Sequence, residues 1–189
     1  NLAVPVAFSL MMTGLFLMGA AGCGKPASTL ELPHPPMPWY GNLGTHHFPI
    51  TTSVAEAQRY FDQGLILAYG FNHREAARSF REAYRLDPGC ALCYWGEALV
   101  LGPNINAPMD PAAVPTAYRS IQKARALAVN TSAKERALIS ALAERYSQTR
   151  LPDRKPLDEA YAAAMRGVSA RFPDDADIAA LFAESLMDL

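Results

Sequence analysis

From Ser53 onward, small and large apolar residues alternate with polar ones at spacings of three, four and seven, the signature of helices that bury one face. With Ala57 as position 1 of a unit, Tyr60, Gly64 and Leu67 fall at positions 4, 8 and 11. Ala76, Phe80 and Ala83 follow at 20, 24 and 27, and Pro88 at 32. The spacing predicts two antiparallel helices. Gly64, Ala76 and Ala83 allow close approach, Tyr60, Leu67 and Phe80 fill the space between them, and Pro88 stops the second helix. Ser53-x-x-Glu56 and Asn72-x-x-Glu75 read as capping boxes at the two helix starts, and Gly70 as a left-handed cap between them. Gln63, at a normally apolar place, departs from the pattern.

The same spacing returns along the chain. A second unit opens at Ala91 with Tyr94, Ala98 and Leu101. It resumes with Ala117, Ile121 and Ala124 after a loop, Gly102 to Asp110, that carries seven extra residues. Pro111 suits the first turn of the helix that follows. A third unit opens at Arg136 with Ile139, Leu142, Ala143 and Tyr146, capped by Ser132-x-x-Glu135. Its second helix is expected from about Leu157 to Arg171, after an enlarged loop at 151–156 and before Pro173. A fourth unit opens at Ala176 with Ala179, Phe182, Ala183 and Leu186. Its apolar residues Ile178, Leu181, Phe182, Leu186, Met187 and Leu189 lack a partner helix, so either this helix docks on another chain or, as expected here, the sequence is a fragment of a longer protein.

The periodic arrangement at 53–189 resembles the tetratricopeptide repeat (TPR) pattern, closely in the first unit and more loosely after it. Phe71-Asn72-His73, Asp87 to Gly96 and Gly102 to Asn106 resemble a class of bacterial envelope TPR proteins, a likeness that implies no established activity. The resemblance implies an all-α, TPR-like superhelical stack of helix hairpins whose first helices line a binding groove. Mapped onto this chain, the groove takes Phe61 and Leu65 from the first unit and Leu92, Trp95 and Leu99 from the second, with Tyr69 at its edge. It is open to a protein partner or filled in cis by the segment around Phe48 and Ile50. The basic residues of a carboxylate-clamp groove are missing, which disfavours chaperone-tail binding.

Ahead of the repeats the character changes twice. Residues 1–22 carry no charge and read as an apolar leader ending in Gly19-Ala20-Ala21-Gly22-Cys23. This is similar to a bacterial lipoprotein signal, which implies cleavage before Cys23 and lipid on its thiol. An uncleaved transmembrane anchor is the alternative. Residues 23–52 hold Pro26, Pro33, Pro35, Pro36, Pro38 and Pro49 and are expected to run extended, as polyproline II with turns. Either reading of the leader places residues 53–189 outside the cytoplasm, on the periplasmic side of the envelope, where disulfides persist. Half of the residues are hydrophobic and the net charge is −1, so a core can be buried and nothing favours nucleic acid as a partner.

Candidate chemistry is sparse. The three cysteines are Cys23, Cys90 and Cys93. Cys90-x-x-Cys93 follows Pro88-Gly89 at a helix start, and in an oxidising compartment it reads first as a local disulfide. The alternative is a metal or redox role using Cys90 and Cys93 with His46, His47 and His73, although no ligand spacing links these residues. Tyr94 stands where haem attachment needs histidine, and no phosphate loop or nucleophile elbow is present. Charges on the last helices read as ordinary solvated faces. The expectation is a partner-binding or assembly protein of the cell envelope, held at the membrane by lipid or by its apolar segment, with no cofactor and no identifiable reaction.

Overall fold

The computed structural model describes residues 37–149 and 153–189. The leader, Cys23 and the proline-rich stretch up to residue 36 lie outside these residues. The described part is all-α: seven helices and, among the described residues, no strand. They are α1 Ala55–Tyr69, α2 His73–Leu86, α3 Ala91–Leu101, α4 Val114–Leu127, α5 Ala133–Ala143, α6 Arg154–Arg171 and α7 Ala176–Met187, with one 3₁₀ turn at Ala128–Asn130. Every helix packs on its neighbours in sequence, and the odd-numbered helices also pack on one another, α1 on α3 and α3 on α5. One core runs through the whole body.

Phe80 shows how the pattern becomes packing. Its ring is fully buried between Gly64 of α1 and Gly96 of α3. A Cβ on Gly64 would lie 2.7 Å from the ring, and one on Gly96 only 2.4 Å. The missing side chains are what allow one phenyl group to fill the junction of three helices. Ala117, Ile121 and Ala124, the anchors expected for α4, are all fully buried.

Helix boundaries depart from expectation where a local polar group finds a distant partner. Ser132-x-x-Glu135 forms a complete capping box on α5. The same pattern at Ser53 and Asn72 does not, because α1 is preceded by Val54 and neither α1 nor α2 has a side-chain cap. Thr52 accepts from the Val54 amide instead, and Glu75 is engaged by Tyr40 and Arg78. Gly70 has φ −82°, so it is not the left-handed residue. That role falls to Phe71, at φ 56°. The Asn72 amide donates to the Leu67 carbonyl at 2.8 Å and the Phe71 amide to Ala68 at 2.9 Å, a Schellman closure with phenylalanine at the position glycine usually takes. Pro111 lies before α4 rather than in its first turn, which holds Pro115. α6 starts at Arg154, capped by Asp153, three residues earlier than expected.

The largest departure concerns the linker. Residues 37–52 do not stand apart as an extended tether: they pack against the helices, and Met37 and Phe48 are buried in the common core. Gln63 explains why its place in the repeat is polar. Its buried amide accepts from the Tyr40 amide at 2.8 Å and donates to the Pro38 carbonyl and the Ser79 hydroxyl, fastening the lead-in to α1 and α2.

Candidate functional site

The odd-numbered helices line one face, here called the inner face, and the lead-in crosses it. Phe48 is buried against Phe61, ring centroids 6.0 Å apart, with the Lys134 ammonium 4.1 Å from its own centroid. The Phe48 amide donates to Asp62 at 3.0 Å, and Gln58 bonds both the Phe48 carbonyl and the Ile50 amide. Farther on, Thr51 reaches α5. Its amide donates to Glu135 Oε1 at 2.7 Å and its hydroxyl to Oε2 at 2.5 Å, while Oε2 also accepts from the Ser132 amide. One buried carboxylate thus caps α5 and ties down the chain ahead of α1.

Of the two readings of the groove, open to a partner or filled in cis by the segment around Phe48 and Ile50, this arrangement is the second. Phe61, Leu65, Leu92, Trp95 and Leu99 are core residues covered by the body and its own lead-in, and only Tyr69 is exposed, at 39%. The cis segment fills the upper inner face because its apolar residues are held at high effective concentration next to it. Glu135→Ala is expected to remove the three hydrogen bonds, at about 1.5–3 kcal/mol for bonds to a charged group. It should speed native-state amide hydrogen exchange at Thr51, whose N–H donates to Glu135, and Glu135→Gln should show a smaller effect. Equal protection in wild type and Glu135→Ala would refute the tie.

The histidines and cysteines do not converge. His46 Nε2 lies 3.0 Å from Asp177 and its ring packs edgewise on Tyr69. His47 Nδ1 lies 2.8 Å from Asp62. His73 pairs with Asn104 at 3.2 Å, stacks on Phe71, and is pushed below the usual histidine range by burial. Cys90 and Cys93 form a disulfide at the start of α3, Cα atoms 5.4 Å apart and both residues fully buried. Among the described residues no group of three or more His, Cys, Asp or Glu is placed to hold a metal ion.

What the sequence reading missed is a buried ionic cluster where the last three helices meet. Arg145, just beyond α5, is fully buried. It donates from Nε to Asp158 of α6 at 3.3 Å, from Nη2 to the Pro103 carbonyl at 3.1 Å, and from Nη2 to Asp188 after α7. Its guanidinium carbon lies 4.8 Å from the centroid of the Tyr161 ring. Arg154 also pairs with Asp158. Glu184, one turn before Asp188, has its carboxyl pushed up to about 7, first by burial and then by Asp188, against the pull of Arg145. These charges are not solvated faces. Nothing in local spacing marks them, since Arg145 meets partners 13, 42 and 43 residues away.

Two cavities flank the cluster. One, of about 120 Å³, is lined by Tyr69, Phe71, His73, Val100, Leu181 and Glu184 among others. The second, of about 300 Å³, lies by Asn104, Ile105, Met187, Asp188 and Leu189. Of the eight large apolar residues exposed among the described ones, five line these two cavities: Tyr69, Phe71, Ile105, Met187 and Leu189. The exposed apolar surface is therefore concentrated at the end of the inner face bordered by His46 of the lead-in, which packs on Tyr69.

Fold and site define an all-α protein of sequentially packed helices with one apolar, acidic edge. No family model matches the chain, and neither does any curated protein or solved structure. Among the described residues no helix is long and apolar enough to cross a membrane.

Proposed function

We propose that this chain is a TPR-type assembly protein of the bacterial cell envelope, tethered through its leader or a lipid on Cys23, and that it binds a protein partner at the edge carrying the two cavities. The gathering at that edge of Tyr69, Phe71 and Ile105, exposed apolar residues remote from the last helix in sequence, is the observation that carries the reading. Monomeric surfaces rarely concentrate apolar side chains in this way, and aromatic anchors supply much of an interface's energy. Sequential helix pairing, the α1–α3–α5 contacts and the Phe80 junction between Gly64 and Gly96 support the TPR-like stack. The Cys90–Cys93 disulfide is in keeping with an oxidising compartment.

A photo-crosslinking residue placed at Phe71 or Ile105 of the full chain in cells is expected to give discrete adducts in the membrane fraction. The same residue at Val129, exposed but away from both cavities, should give none. Adducts at all three sites alike, or at none, would count against the reading. The intact mass of the membrane-extracted protein tests the tether: an acylated chain beginning at Cys23 is the expected product, and an unmodified chain that keeps its leader would replace the lipid with an anchor.

A further inference from the structure

The smaller cavity lies where three helices end. Tyr69 is the last residue of α1, Val100 the penultimate residue of α3, and Glu184 opens the last turn of α7. A helix C-terminus carries about half a negative charge, and a basic residue in the last turn commonly answers it. The even-numbered helices follow that rule with Arg85, Arg125 and Arg171. The last turns of α1, α3 and α7 hold no basic residue. Arg145 answers the ends of α3 and α7 through the Pro103 carbonyl and Asp188, so the end of α1 is the one that meets this cavity with no basic group beside it.

The side chains point the same way. Asp158, Asp188 and an ionised Glu184 face the two guanidinium groups of Arg145 and Arg154, leaving one negative charge in the cluster. Glu184 Oε2 is buried without a hydrogen-bond partner. His73, shifted down by burial, adds no positive charge at neutral pH. Tyr69 and Phe71 supply aromatic walls, which favour a cation over their faces. Phe71 is held at φ 56°, a conformation costing roughly 1–2 kcal/mol in a residue other than glycine, and keeps its ring half exposed at this site. Leu99, Val100 and Leu181 supply the apolar remainder. At about 120 Å³ the space suits a short aliphatic stem, since an apolar cavity of about 150 Å³ accepts benzene.

We propose that this cavity receives a lysine side chain of the protein's partner, its aliphatic stem against Leu99, Val100 and Leu181 and its ammonium beside Glu184 and the C-terminal end of α1. The inference rests on the partner-binding reading and names the chemistry that the partner must present. Lysine, with a compact charge on a four-carbon stem, fits a narrow cavity with a single carboxylate better than the planar fork of arginine. Binding draws Glu184 into its ionised form. The groups packed against it are His73 from α2, Arg145 beyond α5, Asp158 from α6 and Asp188 beyond α7, and of these Asp188 and Asp158 raise its carboxyl while Arg145 lowers it.

The test uses the detergent-solubilised full chain, labelled for amide NMR and titrated with N-acetyl-lysine methylamide, n-butylammonium, n-butanol and butyrate at equal ionic strength. Saturable shifts at Phe71, Val100 and Glu184 are expected with the two ammonium probes and not with the alcohol or the acid. Affinity should be about tenfold higher at pH 8 than at pH 6, as a carboxyl titrating near 7 ionises across that range. Glu184→Gln should abolish binding and its pH dependence, Glu184→Asp should keep part of both, and Ala180→Leu should block the cavity in a chain of unchanged helicity. Equal response to butanol or butyrate, or ammonium binding unaltered in Glu184→Gln, overturns the proposal. Cross-linking at Phe71 separates the two readings. Adducts that persist unchanged in Ala180→Leu, with no ammonium binding in wild type, refute the lysine and leave the partner in place. Ammonium binding without any adduct refutes the partner as its source.

Discussion

Phe80→Ala is expected to destabilise the protein by about 3–5 kcal/mol, the usual cost of truncating a buried aromatic residue, and to do so from the junction of α1, α2 and α3. The ring is fully buried, touches Phe61 at a centroid distance of 5.4 Å, and closes the gap left by Gly64 and Gly96. Neither glycine has a side chain that could relax into the hole, so the cavity should stay largely open. Against a total stability of about 5–15 kcal/mol for a typical domain, such a loss is large. Urea denaturation followed by far-UV circular dichroism reads it directly. The reciprocal change is as informative. Gly96→Ala drives a methyl group into the same ring and should cost about 1–3 kcal/mol as overpacking. Phe80→Leu should recover part of that cost in the double variant, because a smaller side chain leaves room for the methyl group. Additive losses in the double variant would show that the two residues do not share the space described.

Arg145→Met should be comparably severe, for an electrostatic reason. The arginine is fully buried and joins Asp158 of α6, Asp188 after α7 and the Pro103 carbonyl of the long loop. Its removal leaves two buried carboxylates with only Arg154 against Asp158. Breaking a buried pair by deleting one partner costs about 3–5 kcal/mol. The deficit carries a pH signature. Glu184, whose carboxyl burial raises and Arg145 pulls down, rises further once the cation is gone, so the variant's fold binds protons more readily than its unfolded chain. Stability relative to wild type should therefore recover as the pH falls from neutrality towards 4 and worsen as it rises. Arg145→Met combined with Asp188→Asn should recover part of the loss at pH 7. A deficit independent of pH would assign the effect to packing against Tyr161 alone.

The two variants fall on opposite sides of what could be read beforehand. Gly64 and Phe80 follow a period in the chain, and their meeting was legible because helical spacing fixes which residues share a face, whereas the approach of Gly96 to the same ring emerged from the structure. Arg145 follows no period. It sits past the end of α5, where Tyr146 was expected to continue the helix, and its partners come from three separate places. Capping divides in the same way. Three segments carry the same acidic pattern, yet only Ser132-x-x-Glu135 closes as a box, because Glu75 found Tyr40 and Arg78 first. Phe71 took the left-handed position at the end of α1 although Gly70 stood beside it.

The candidate site was legible only in fragments. The residues assigned to a groove do share the inner face, but Phe48 and the chain up to Thr51 cover them. Tyr69 and His73 were each singled out, for different reasons, and they meet at one cavity with Glu184, which no pattern marked. The cysteines were placed together by their spacing, whereas the three histidines went to separate partners.

The sequence by itself determined the helical class, the pairing of neighbouring helices and the close approach at Gly64, since these depend on contacts within a few turns of the chain. Only the tertiary structure decided where the lead-in lies, which charges are buried and where apolar surface remains exposed. Those outcomes depend on side chains brought together from separate elements, such as Trp95 with Leu138, 43 residues apart, or Tyr69 with Asp177, 108 apart, and local periodicity carries no record of such pairings.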